Sequence, residues 1–132
     1  MTLPPRLFAA RLAQQPVFDP LGDPVGRVKD VVLILRGHGS SRPRAVGLVV
    51  EVARRRRVFV PATRVTSIAP GQVITTGLVN LRRFEPRAGE SLAVDEVIGR
   101  RVVVHTGDGP VEAVVEDLAI DLRRKNWTVT KA

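Results

Sequence analysis

Val25-Gly26-Arg27-Val28-Lys29-Asp30-Val31-Val32-Leu33 is the stretch on which the fold turns. It follows the turn Asp19-Pro20-Leu21-Gly22-Asp23-Pro24. Beyond a polar loop over residues 37–43 come Ala45-Val46-Gly47-Leu48-Val49-Val50-Glu51-Val52 and then Arg57-Val58-Phe59-Val60-Pro61. β-Branched residues dominate all three runs, and Gly and Pro punctuate them at short intervals, as the strands of an antiparallel sheet require. The chain therefore reads as mainly β, a small antiparallel barrel with short helical segments. Such a barrel brings no chemistry of its own, so function lies in what it binds.

Alternation gives the faces. In residues 25–35, Val28, Val32 and Ile34 share one side and Arg27, Lys29 and Leu33 the other. Asp30 then falls on the apolar side unless a bulge at Gly26 resets the register. A buried carboxylate needs donors, so Asp30 is expected to tie down a neighbouring turn. In the second run Leu48, Val50 and Val52 point inward, with Val49 and Glu51 outward. Its partner is the run 57–60, joined by a turn over 53–56. Residues 7–11 read as a helical turn or short strand, and Pro16-Val17-Phe18 as an edge strand, because Pro is excluded from central strands. A helical turn capped by Thr63 follows Pro61, then a strand over 72–75 and a connector over 78–86. Ser91 looks like the N-cap of a short helix ended by Gly99. Strands over 101–105, 111–122 and 127–130 complete the chain, the first two joined by a Gly-containing hairpin turn.

Composition bounds the function classes. The chain has 132 residues, 44% of them hydrophobic, enough for a folded core. Its longest apolar run, residues 45–50, is far short of the roughly 18 needed to span a bilayer. The first residues lack an apolar run behind a positive segment, so a secretory signal is not expected. With no cysteine, disulfides and thiolate metal sites are excluded. These readings lead to a cytoplasmic protein with no transmembrane segment, peripheral to a membrane only through a partner. The net charge of +8 is lopsided: residues 1–66 carry 12 Lys or Arg against 4 acids, and residues 67–132 carry 9 against 9. The basic half steers acidic partners, nucleic acid or anionic surfaces.

Laying residues 17–34 over 104–121 matches Val17 with Val104, Gly22 with Gly109, Val28 with Val115 and Asp30 with Asp117. Both stretches place strand, turn, strand and aspartate at the same offset. This points to an internal duplication of one β unit, with units over 1–86 and 87–132.

The run from Phe18 to Val31, with Val46-Gly47-Leu48-Val49-Val50 and Val58-Phe59-Val60-Pro61, resembles the PRC-barrel family. Residues 57–68, followed by Gly71-Gln72-Val73-Ile74-Thr75-Thr76-Gly77-Leu78-Val79-Asn80, look like the N-terminal PRC-barrel module of actinobacterial MgtE-related proteins. There the barrel precedes a magnesium-transporter-type intracellular domain and CBS domains. The resemblance implies a duplicated PRC-type barrel acting as a regulatory interaction domain in a magnesium-transport-related assembly. No segment of this chain corresponds to the magnesium-sensing domain, the CBS pair or a membrane region.

Reactive constellations are scarce. His38 and His105 lie in different units without ligand spacing. On a strand, Glu112 and Glu116 face opposite to Asp117 and Asp121, so these carboxylates do not converge on Mg²⁺. Ser40 and Ser41 beside His38 sit on a loop with nothing rigid to align them. Gly37-His38-Gly39 lacks the context of a dinucleotide fingerprint. No catalytic residue, metal ligand or cofactor is expected. Arg54, Arg55, Arg56 and Arg57, at the tip of a hairpin, are the candidate partner-binding residues. We expect a non-enzymatic adaptor for a protein partner or adjacent domain, with self-association as a further role. The rival is an RNA- or ribosome-associated module using the basic half, set back by an aromatic content of only 4%.

Overall fold

The computed structural model describes residues 6–34, 44–69, 71–76, 83–85, 87, 90–121 and 127–131. Its strands in chain order are β1 (Arg6–Phe8), β2 (Pro16–Phe18), β3 (Pro24–Ile34), β4 (Arg44–Glu51), β5 (Arg57–Pro61), β6 (Val65–Ala69), β7 (Gln72–Thr75), β8 (Glu90–Leu92), β9 (Arg101–Thr106), β10 (Gly109–Val114), β11 (Ala119–Asp121) and β12 (Trp127–Lys131). One short helix, α1 (Ala9–Leu12), follows β1, and a single π-type turn, Ala93–Val97, follows β8. The chain is mainly β, as its sequence implies.

Ten strands share one mixed sheet in the order β1-β11-β12-β4-β3-β2-β7-β6, with β5 added on β4 and β8 on β3. The long strands β3 and β4 form its spine, paired from Arg27 with Glu51 to Ile34 with Arg44. Each lends its other edge to two shorter strands. On β4, β5 covers Gly47 to Glu51 and β12 covers Arg44 and Ala45. On β3, β2 covers the first part and β8 covers Val32 to Ile34. Strands β8, β11 and β12, all from residues 87–132, thus hydrogen-bond to strands of residues 1–86. Hairpin β9–β10 stands as a separate two-stranded sheet among the described residues.

Several expectations need correction. Strand β2 is not an edge: it pairs antiparallel with β3 and parallel with β7. Pro16 is tolerated because the β7 pairing begins only at Val17, so its missing N–H is not needed there. Val49 is buried, not outward, because Leu92, Val94 and Phe84 lie over its side of the spine. Thr63 caps nothing; the 3-10 turn Ala62–Arg64 starts from Pro61. Residues 90–92 form a strand, so Ser91 is not an N-cap. The expected strand over 111–122 is broken between Val114 and Ala119. The loop over 37–43 and most of the connector over 78–86 lie outside the described residues.

Side chains from both ends of the chain share one core, including Ala9, Leu12, Val28, Val31, Leu48, Val60 and Val73 with Ala93, Val115, Leu118 and Ile120. Full burial of an aliphatic side chain contributes about 1.5–3 kcal/mol. That this core draws on both halves ties them energetically.

The hydrogen bonds at the two helical turns match one another. Asp117 Oδ1 accepts from the amide of Ala10 in α1 at 3.0 Å and from its own neighbour Leu118 at 2.8 Å. Asp30 Oδ1 accepts from Val94 in the π-type turn and from its own neighbour Val31, both at 2.7 Å, while Oδ2 accepts from Asp95 at 2.9 Å. Each aspartate thus caps the turn carried by the other half of the chain. After α1, Gln14 takes a left-handed φ of 70° and its N–H donates to Val28 O; after the π-type turn, Gly99 takes 89° and donates to Val115 O, both at 2.6 Å. The register shift between Val32 and Leu33 against β4 recurs between Ala119 and Ile120 against β12. Strand β1 runs along β11 as β8 runs along β3, with Leu7 opposite Ile120 and Ser91 opposite Leu33.

Candidate functional site

Strands β4 and β5 pair up to Glu51 and Arg57, and the chain reverses through the 3-10 turn Ala53–Arg55. Val52 N–H donates to Arg56 O at 2.7 Å, and Arg56 N–H donates to Ala53 O at 3.4 Å. Arg54 (φ 62°, ψ 28°) and Arg55 (φ 58°) are consecutive left-handed residues. Positive φ at both central positions is the geometry of a type I′ turn, for which Asn-Gly is the favoured pair. Each Cβ-bearing residue held there costs about 1–2 kcal/mol. The turn therefore stores strain with arginine at both of its central positions.

All four arginines are exposed. Arg57 Nε lies 3.7 Å from Glu51 Oε2, and Lys29 Nζ lies 3.9 Å from Glu51 Oε1. Such solvated pairs contribute about 0–1 kcal/mol. Among the described residues Arg54, Arg55 and Arg56 make no ion pair, so the turn keeps a surplus of positive charge. Arg83 and Phe84 are brought beside it: Arg83 bridges to Val58, and Phe84 N–H donates to Arg57 O at 2.8 Å. The result is a groove of about 990 Å³ with Val25, Val52, Val58 and Phe84 along its apolar parts and Arg54, Arg55, Arg56, Arg57 and Arg83 around them.

Of the residues lining this groove, the sequence reading named Arg54, Arg55, Arg56 and Arg57 and did not name Arg83 and Phe84. The available signal was an aromatic residue inside an otherwise polar Arg-Arg-Phe-Glu-Pro connector, in a chain with only four Phe.

A smaller cavity of about 340 Å³ lies on the spine beside Asp30, lined in part by Lys29, Arg57, Phe84 and Asp95. Asp30 is 5% exposed. Burial pushes its carboxyl above the ordinary value, a shift opposed by the three amide donors and supported by the nearby Asp95. Its two oxygens are committed to backbone N–H groups, which makes it a structural cap reaching across the sequence. Two register shifts occur on this strand: one beside Gly26, where Gly26 and Pro24 oppose Val17 and Phe18 of β2, and one around Lys29, between Val28 and Asp30 against β4.

The other candidates do not converge. Glu112 is exposed and pairs with Arg101 at 3.8 Å, Glu116 is exposed, and Asp117 caps α1. The side chains of Asp121 and His105, and the whole of His38, Ser40 and Ser41, lie outside the described residues. Among the described residues no three His, Cys, Asp or Glu side chains form a metal-binding group, and no helix is long and apolar enough to cross a membrane. Comparison with protein-family models, curated proteins and solved structures returned no match.

Proposed function

We propose that this chain is a non-catalytic interaction module made of two PRC-barrel-like β units, and that it docks an acidic, apolar-containing segment of a partner protein or adjacent domain in the arginine groove. The observation that carries the reading is the strained turn at Arg54 and Arg55. A hairpin serving only as a connector gains stability from Asn-Gly, so strain retained at arginine indicates that the guanidinium groups are used. The mixed lining selects the ligand chemistry: guanidinium groups grip carboxylates bidentately, and the apolar strip takes up aliphatic side chains.

Two lines support the duplicated architecture. Matched caps, matched left-handed residues and matched register shifts recur at Asp30 and Asp117, Gln14 and Gly99, and Val32 and Ala119. The barrel reading draws on the order β5-β4-β3-β2-β7-β6, with β5 running through one 3-10 turn into β6. The sequence resemblance adds the setting, a cytoplasmic regulatory role in a magnesium-transport-related assembly.

The test is fluorescence anisotropy with a labelled acidic, leucine-containing peptide, with single-stranded RNA of equal length as comparator. The peptide binds the wild-type chain, binding weakens with added salt because the arginines are exposed, and a variant carrying R54Q, R55Q and R56Q loses it. RNA binding with a steep logarithmic salt dependence and no peptide binding moves the function to the nucleic-acid class. Binding of neither removes the groove from consideration.

A further inference from the structure

Residues 1–66 contain four acids, Asp19, Asp23, Asp30 and Glu51. Asp30 is held by backbone amides, and Glu51 stands beside Lys29 and Arg57. The other two flank the tip of the turn between β2 and β3. That turn is closed on itself: Asp19 N–H donates to Asp23 O and Gly22 N–H to Asp19 O, both at 3.0 Å, and Asp19 Oδ1 accepts from the amides of Leu21 and Asp23, both at 2.9 Å. Pro20 fixes its own φ, and Gly22 supplies the left-handed φ of 89° that the reversal needs. Leu21 is 88% exposed at the tip, against at most 54% for any other large hydrophobic among the described side chains. A single exposed leucine is ordinary by itself. This one is held out from an ordered turn between two carboxylates that make no ion pair among the described residues.

The arginine groove opens beside this turn. Val25, two residues after Asp23, lines it together with Val52, which follows the last residue of β4. Turn and groove therefore stand at the same end of the β3–β4 spine. Leu21 does not enter the groove of its own chain, because Pro24 alone separates Asp23 from Val25 and the leucine side chain is in solvent. We infer that the groove receives the Asp19–Asp23 turn of a second copy of this chain, in a twofold dimer in which each copy's turn enters the other's groove; this deepens the reading of the groove as a site for acidic, apolar-containing segments and rests on it. The two parts match chemically. Leu21 covers the apolar strip of Val52, Val58 and Phe84, and the carboxylates of Asp19 and Asp23 meet the guanidinium groups around that strip. Because the turn is already ordered by its own hydrogen bonds, docking it costs little conformational entropy. A surface that carries both turn and groove is self-complementary, which is the condition for an isologous dimer. Reciprocity also doubles a contact that one turn alone leaves small, giving a dimer that dissociates on dilution.

The experiment is sedimentation equilibrium of the full chain over a range of concentrations at low and physiological salt. The wild type runs as a reversible monomer–dimer system that salt weakens. Leu21→Ser combined with Asp23→Asn, both at exposed side chains, lowers the association constant by at least about tenfold, since a twofold interface loses each contact twice. The variant carrying R54Q, R55Q and R56Q does the same, with circular dichroism showing all three proteins folded. Mixing the two variants decides the geometry: the turn variant keeps its groove and the arginine variant keeps its turn, so the pair forms a heterodimer through one contact where neither associates alone. Labelling one variant and adding an excess of the other detects it. A monomeric wild type overturns the inference, as does self-association that either variant leaves unchanged or that mixing fails to restore. The acidic, leucine-containing peptide separates this failure from that of the groove. Peptide binding by a monomeric wild type overturns the second copy as occupant and leaves the groove to another protein, whereas no peptide binding and no dimer overturn both.

Discussion

Replacing Arg54 and Arg55 by Asn and Gly stabilises the protein while disabling its groove. Two arginines in the left-handed region cost about 1–2 kcal/mol each. Asn tolerates this region and Gly adopts it freely, although Gly returns roughly 0.5–1 kcal/mol through backbone entropy in the unfolded chain. The side chains lost are exposed and make no ion pair among the described residues, so little stabilisation goes with them. The net gain is about 1–2 kcal/mol. For a chain of this size that corresponds to a rise in Tm of about 3–8 °C. Scanning calorimetry with urea unfolding at unchanged m-value measures it. The same variant binds the acidic peptide more weakly, because two of the five groove guanidiniums are gone. Unchanged or reduced stability refutes the strained turn, and with it the argument that the arginines are retained for binding.

Asp30→Ala strips the cap from the Ala93–Val97 turn and leaves the Val94 and Asp95 amides without their acceptor; a loss of about 1–3 kcal/mol is expected in urea unfolding, with amide exchange accelerated first in residues 93–97. Asp117→Ala does the same to α1, at about 1 kcal/mol, with faster exchange at Ala10. The Asp30 carboxyl lies above its ordinary value of 3.8 because it is buried, so the folded state holds that proton to higher pH than the unfolded chain does. The linked stabilisation is full below the unfolded value and is lost as pH rises through the folded one. The stability difference between wild type and Asp30→Asn therefore falls with rising pH in unfolding curves, and a difference that grows contradicts the burial. Gly26→Ala costs about 1–3 kcal/mol in urea unfolding, because the new methyl meets backbone at Glu51.

Local patterns were legible where one cause dominates. The β4–β5 hairpin follows from two β-branched runs and a short turn, and its arginine tip follows from position alone. Asp30 was readable as a carboxylate needing donors, since an acid in an apolar face has few other fates. Its actual partners stand 64 and 65 residues away, and no local signal carries that distance. For the same reason Ser91 misled: a serine before a helical turn is an ordinary cap signal, yet a distant aspartate fills the role and Ser91 extends β8. Val49 alternated outward in the sequence pattern because the layer over it comes from residues distant in sequence, Phe84, Leu92 and Val94. The proposed repeat aligns Asp30 with Asp117, each of which accepts from a helical turn of the other half. On that alignment the residue paired like Val17 is Val102 and not Val104, because 11 residues separate Val102 from its partner Ala113 against 9 between Val17 and Gly26. Arg83 and Phe84 join the groove through a single bridge to β5, a pairing too short to leave a periodic trace.

The most direct test of the account is titration of the acidic, leucine-containing peptide into the wild-type chain and into the variant carrying R54Q, R55Q and R56Q, followed by isothermal calorimetry at low and physiological salt. The account predicts saturable binding to the wild type, weakened by salt and abolished in the variant, with both proteins equally folded. Equal binding by the two proteins, or none by either, contradicts it.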